Sequence, residues 1–283
     1  MKKIINIYKP QGKTPLEMVK VIKETFPEYN DEKIGYAGRL DPLAHGVLLL
    51  MIGEETTKQR ETYLHLPKDY EFEAAFGVST DTYDALGIVN NVAMKQLNNN
   101  HRDEVEKFIK SKLGKQKQTY PPFSSKTVDG KPLFLWAKEN RLSEITIPER
   151  EIEIYNFKLI ETNNISTNEL KTEILKQIES VTGEFRQAEI KEKWEKFFEK
   201  YCHFEEAKQR EISLGISQPL QGFEMTNQNT FQTARFSISC SSGTYIRSLV
   251  NELGNKLATG AITLEILRTE VGEYSLQDSL KLL

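Results

Sequence analysis

Gly35-Tyr36-Ala37-Gly38-Arg39-Leu40-Asp41-Pro42-Leu43-Ala44-His45-Gly46 runs without a break into the apolar Val47-Leu48-Leu49-Leu50-Met51-Ile52. The first part, from Ile34 to Gly46, reads as a glycine-punctuated loop, because glycines permit tight backbone paths and positive φ angles. The second part is far too short to span a membrane and reads as one buried strand or a helix fragment, with the strand preferred. Pro42 biases Asp41 toward an extended conformation, so the carboxylate stands on a stiff stalk at the edge of a dry core. A charge there needs a cation or donors to stay ionised, and an ionised, partly desolvated carboxylate is a competent nucleophile. A plain Asp-Pro turn is the alternative reading of the same residues.

A second segment, Cys240-Ser241-Ser242-Gly243-Thr244-Tyr245-Ile246-Arg247-Ser248-Leu249, runs from a strand end through a glycine turn into a helix. Arg247 falls near the start of that helix, where the helix dipole does not favour a guanidinium. An anionic partner would answer that. A bidentate pair with Asp41 would hold the carboxylate ionised and aimed, whereas a solvated surface arginine is the other reading.

Around these segments, Thr14 with Glu17 makes a capping-box pattern for a helix running to about Phe26. Tyr70 to Val78, Glu151 to Ile160 and Ala234 to Cys240 alternate as strands, and Asp81 to Gly87 is a turn cluster. Arg102 to Leu113 and Ser248 to Leu257 read as helices, and Ile262 to Tyr274 as two short strands around a turn. Ile174, Ile178 and Val181, then Trp194, Phe197, Phe198 and Tyr201, recur at helical spacing. They predict helices over about 168–181 and 187–209, whose stripes are packing surface within an insertion between two strands of one sheet.

The 283 residues, 38% hydrophobic and 28% charged, exclude fibrous, disordered and disulfide-framework proteins. Cys202 and Cys240 cannot build a disulfide framework or a four-cysteine zinc site, and His45, His65, His101 and His203 show no ligand spacing. Neither a P-loop nor a Gly-x-Gly-x-x-Gly pattern occurs, so no metal and no cofactor is expected. With no long apolar run and no secretory leader, the reading is a soluble, cytoplasmic protein, and nothing demands more than a monomer. The net charge of −3 argues weakly against a general nucleic-acid binder, but the charge is uneven. Residues 161–213 carry nine Lys/Arg against twelve Asp/Glu, whereas the seven lysines from Lys107 to Lys131 face Asp129 alone. Such a segment attracts phosphates, or is merely a solvated face.

Taken together, these segments resemble the TruB-type tRNA pseudouridine synthases, which make pseudouridine in the T-loop of tRNA. Lys9-Pro10-Gln11-Gly12 is similar to the family's opening motif, and Gly38 to Leu48 to its catalytic Gly-x-Leu-Asp-Pro-x-Ala-x-Gly loop. Lys68-Asp69-Tyr70, Asp81-Thr82-Tyr83-Asp84 with Gly87, Pro121-Pro122-Phe123-Ser124-Ser125, Gly243-Thr244-Tyr245-Ile246-Arg247 and Leu267-Arg268 follow in the family's order. The likeness is collinear over about residues 5–160 and 234–275. It implies an α+β pseudouridine synthase fold with a mixed, mostly antiparallel central sheet, flanking helices and a cleft across its middle. One catalytic domain over 1–283 would be interrupted by the helical insertion at 162–232, a decoration or a surface for a protein partner, with no C-terminal PUA-like RNA-binding module.

The resemblance also implies roles. Asp41 is the nucleophile, toward the sugar C1′ or the uracil C6, Arg247 is its partner, and Tyr70 stacks on the extruded base. Lys9, the Lys107–Lys131 segment with Lys126 and Lys131, and Arg268 grip phosphates or line the substrate face. The chain departs from the family at Tyr36, where a base-everting His is usual, and at Arg39, where Thr is usual. Arg39 stands where related rRNA-modifying synthases carry an arginine, so it would intrude into the RNA in compensation. Thr127 replaces an expected Lys in a Pro-Pro segment one residue short. Another RNA stem-loop as substrate, and a catalytically silent RNA-binding or RNA-folding chaperone, are the alternatives.

Overall fold

The structure, a computed structural model, describes residues 4–92, 99–199 and 230–282. Its strands are β1 (Ile4–Lys9), β2 (Ile34–Ala37), β3 (His45–Ile52), β4 (Lys68–Phe76), β5 (Val78–Thr80), β6 (Val89–Val92), β7 (Gly114–Thr119), β8 (Thr127–Val128), β9 (Lys131–Pro132), β10 (Glu149–Ser166), β11 (Thr230–Cys240), β12 (Ala261–Val271) and β13 (Tyr274–Ser275). Its α-helices are α1 (Pro15–Thr25), α2 (Glu54–Lys58), α3 (Arg60–Leu64), α4 (Asn99–Ser111), α5 (Leu133–Lys138), α6 (Thr167–Ser180), α7 (187–199) and α8 (Ile246–Lys256). No helix among the described residues is long and apolar enough to cross a membrane.

One mixed sheet organises the molecule in the order β1-β3-β12-β4-β11-β10-β7, with β2 added to β3 and β13 to β12. Every pairing in it is antiparallel except β3 with β12. That parallel join lies one strand in from the β1 edge and needs Gly46. Its φ is +108°, and a Cβ there would come within 2.2 Å of the Arg268 carbonyl oxygen. After its first residue, His45, β3 carries no polar side chain and is buried throughout, as its sequence requires of a strand inside the sheet.

Helices cover both faces. On one, α4 and α8 pack Phe108, Leu249 and Leu253 against Phe72, Phe157 and Phe236. On the other, Ile174 and Ile178 of α6 and Trp194 and Phe198 of α7 pack against Ala75, Ala85, Ile262 and Leu264. The stripes of α6 and α7 are therefore occupied by the protein's own sheet. Over residues 162–166 and 230–232 the expected insertion is strand, the continued pairing of β10 with β11. Its expected helix end at 209, and Cys202-His203, lie outside the described residues. Over α1, the capping box of Thr14 and Glu17 forms as its sequence predicts.

Two expectations change. Residues 34–37 are not loop but the short strand β2, whose Gly35 and four-residue length hide its alternation. The two short strands expected over 262–274 are one 11-residue strand, β12, followed by the two-residue β13. Irregularities between Thr263 and Glu265 and between Arg268 and Glu270 break the period-two pattern, so the sequence looks interrupted where the strand is not.

Candidate active site

Register fixes the floor of the site. Gly46 of β3 pairs with Arg268 of β12, which pairs with Tyr70 of β4, so one row across the central strands carries all three. Asp41 rises from the loop just before β3. Arg247, 206 residues further along the chain, is the second residue of α8. Neither strand end nor helix caps itself there: the N-cap residue Tyr245 has no side-chain cap, and Gln118 of β7 takes that place. The Gln118 oxygen accepts from the Tyr245 amide at 2.8 Å, and its amide donates to the Tyr245 carbonyl at 3.1 Å.

Arg247 donates from Nε to Asp41 Oδ2 at 2.7 Å. The pair is not bidentate, because Nη1 donates to the Thr82 carbonyl at 2.6 Å and Nη2 to the Phe123 carbonyl at 3.4 Å. A second carboxylate, Asp84, lies with Oδ2 3.6 Å from Nε. The Asp84 Oδ1 accepts from the Thr82 hydroxyl at 2.6 Å and the Leu86 amide at 3.0 Å. Burial works against a charged Arg247, but Asp41 and Asp84 beside it push its pKa up. The Arg247 side chain is 5% exposed and that of Asp41 38%, so the substrate can meet the carboxylate and not the cation.

The cleft over this pair has a volume of about 760 Å³, room for an everted nucleotide. Eight arginine or lysine side chains and three acidic ones line it, so the site is basic although the whole chain is acidic. Tyr70 is buried on its floor, and burial pushes the phenol up to about 12. Tyr36, half-buried on β2, and Arg39, exposed on the Asp41 loop, both line the cleft.

Other candidate residues sit differently. Lys9 is fully buried, so it does not grip phosphate: its Nζ donates to the carbonyls of Lys13 at 2.5 Å, Pro10 at 3.1 Å and Pro42 at 3.2 Å. It ties down the residue that follows Asp41. Arg268 lines the cleft but is almost wholly buried, donating to the Val47 carbonyl at 2.7 Å and the Arg39 carbonyl at 3.4 Å. Lys126 is exposed over the Tyr120 ring, and Lys131 bonds Glu139 over the Trp136 ring; neither lines the cleft.

Lys68 and Asp84 stand in motifs quoted from the sequence but were given no role there, and Gln118, Arg150 and Arg186 were not singled out at all. Lys68 was legible in principle, because it is two residues from Tyr70 on one strand and shares its face. It donates to the Leu64 and Leu66 carbonyls, and burial beside Arg268 lowers its ammonium to about 8. Arg150 reaches the cleft by donating to the Ser242 carbonyl, 92 residues away, which no local pattern signals.

Residues 27–182 match the model described as TruB family pseudouridylate synthase (N terminal domain). The chain is 30% identical over 273 residues to tRNA pseudouridine synthase B of Blochmanniella pennsylvanica, covering 96% of this chain and 75% of that one. It is 28% identical over 283 residues to tRNA pseudouridine synthase B of Clostridioides difficile, covering 100% and 69%. With tRNA pseudouridine synthase 4 of Saccharomyces cerevisiae it shares 29% identity, covering 91% and 65%. Among solved structures, it resembles one described as a Cbf5-Nop10-Gar1 complex, with a TM-score of 0.54 at 18% identity. It spans about half of that chain's length, 51%. The fold is that of the pseudouridine synthases, a class of isomerases. The chain belongs to the TruB family.

Proposed function

We propose that this cleft converts a uridine of tRNA, at position 55 in the T-loop, to pseudouridine, with Asp41 as the nucleophile. One observation carries the reading: an accessible carboxylate held by a buried arginine on the floor of a basic cleft. The tRNA is supported by the names of the relatives, and the cytoplasm is proposed with it as the compartment.

The basic rim attracts the RNA backbone. Eversion of the uridine costs a few kcal/mol, offset in part by stacking on Tyr70. Asp41 then attacks C1′ or C6. Either route breaks the N1–C1′ bond, turns the base, forms the C5–C1′ bond and frees the Asp41 carboxylate by breaking the bond it made to C1′ or C6, while C5 gives up its proton and N1 takes one. Product and substrate contain the same atoms, so the reaction needs no oxidant, reductant or co-substrate. Tyr36 and Arg39, both on the cleft, take over the eversion for which the family's usual residue is missing.

The same two residues favour a second reading, in which the uridine belongs to another RNA stem-loop. Tritium release from 5-³H-uridine-labelled tRNA transcripts tests both, with the modified position mapped by carbodiimide-blocked primer extension. Release with a block at the T-loop uridine is expected. A block elsewhere moves the substrate, and tight RNA binding without release leaves only an RNA-binding protein.

A further inference from the structure

The end of α6 and the loop joining it to α7 contact segments that hold each member of the Asp41–Arg247 pair. On the arginine side, Arg186 donates from Nη2 to Asp81 Oδ2 at 3.1 Å, and its guanidinium lies 4.5 Å from the centre of the Phe123 ring. Those neighbours are telling. Asp81 directly precedes Thr82, and Thr82 and Phe123 supply the two carbonyls that receive Nη1 and Nη2 of Arg247. Arg186 thus joins the two separate backbone segments that orient the buried arginine.

On the nucleophile side, the end of α6 closes against the turn behind Asp41. Gly12 donates its amide to the Pro42 carbonyl at 2.9 Å, and its own φ is +86°. A Cβ on Gly12 would stand 2.5 Å from the Ser180 carbonyl, so α6 packs on bare backbone there. Thr182 hydrogen-bonds Glu17, the residue that closes the capping box of α1.

The loop is built to hold this shape. Arg186 has a φ of +64°, a left-handed conformation that costs a residue with a Cβ and persists where the surroundings enforce it. Gln187 does the enforcing: its amide donates to the carbonyls of Val181 at 3.1 Å and Gly183 at 2.6 Å, and its oxygen accepts from the Phe185 amide at 2.8 Å. Arg186 lies beyond residue 182, where the family match ends.

We infer that Arg186 is a positioning residue for the catalytic pair, bracing through Asp81 and Phe123 the sockets that aim Arg247 at Asp41. The helical segment is then part of the active-site scaffold. The inference rests on Asp41 and Arg247 being the catalytic pair. Arg186 lines the cleft, but its guanidinium is committed to Asp81 and Phe123, so it serves the chemical step more than RNA affinity.

The test is the single-turnover rate at saturating tRNA, measured beside tRNA affinity, for wild type, Arg186→Met, Arg186→Lys, Asp81→Asn and Arg186→Met/Asp81→Asn. Loosening the sockets is expected to slow the step about tenfold or more while affinity changes by no more than about a few-fold. Asp81→Asn keeps its acceptor for the Ile88 amide but loses the charge, so it is expected to reproduce much of that loss. The double variant is expected to lose little more than either single one. Arg186→Lys restores the ion pair and part of the rate, and with Asp81→Asn it keeps the question answerable if Arg186→Met does not fold. A wild-type rate, a loss confined to affinity, or fully additive losses would overturn the inference. Asp41→Asn separates the two levels: an active Asp41→Asn sinks the catalytic reading itself, whereas an inactive one beside a wild-type Arg186→Met sinks only this proposal.

Discussion

Arg247 meets Asp41 through Nε alone, at 2.7 Å, and commits its terminal nitrogens to the main chain of Thr82 and Phe123. The guanidinium is therefore oriented by backbone carbonyls that do not move with the carboxylate. Asp41 Oδ1 has no hydrogen-bond partner among the described residues, so one oxygen is open to a substrate while the other is held. A rigid cation and a half-engaged carboxylate suit a nucleophile better than a symmetric fork–fork pair would.

Arg247→Lys keeps the charge but cannot reach Asp41, Thr82 and Phe123 together. A fall of about a hundredfold or more in the single-turnover rate is expected, since misplacement of reacting groups costs that much. A rate within a few-fold of wild type would show that charge alone suffices.

Lys9 offers a different contrast. Its ammonium is spent on three carbonyls beneath the Asp41 loop. Lys9→Met is expected to lower thermal stability and slow the reaction while leaving the salt dependence of tRNA affinity unchanged. A slope reduced by about one would mean a phosphate contact after all.

Glu17 gives the pH dependence. Partial burial works the other way, but hydrogen bonds from Thr182 and from the amide and hydroxyl of Thr14 hold its carboxyl at about 2, against an ordinary 4.5. Its folded-state pKa is depressed, so the stabilisation is full above about pH 4.5 and lost as pH falls toward 2. Melting temperatures of wild type and Glu17→Gln are expected to differ at pH 7, with the gap narrowing below about pH 4.5 and closing only near pH ~2. A constant gap across that range would place the effect of Glu17 outside its charge.

Trp194 tests whether α7 belongs to the core. It is fully buried, stacks on Phe198 and donates to the Ala85 carbonyl at 3.2 Å, one residue from Asp84. Trp194→Ala is expected to cost about 3–5 kcal/mol in denaturant unfolding. A cost below about 1 kcal/mol would return the helical segment to decoration.

What the sequence disclosed follows from the range of its signals. The apolar run of β3, the capping box of Thr14 and Glu17 and the stripe of Trp194 and Phe198 are local patterns, and each appears as an element or a buried face. Asp41 and Arg247 were legible as odd residues: a carboxylate on a stiff proline stalk and a cation at the wrong end of a helix. Lys9 misled because a lysine's usual place is the surface, and nothing near it in sequence announces three converging carbonyls. Arg186, Arg150 and Gln118 act across long chain separations, so only the folded register brings them to the site.

The central claim is that the Asp41 carboxylate does the chemistry. Tritium release from 5-³H-uridine tRNA under single-turnover conditions, with wild type and Asp41→Asn at matched RNA occupancy, measures it most directly. Release by wild type and none by Asp41→Asn, which keeps the shape and an acceptor for Arg247 but no nucleophilic charge, is the expected result. Release by Asp41→Asn at the wild-type rate would contradict the account.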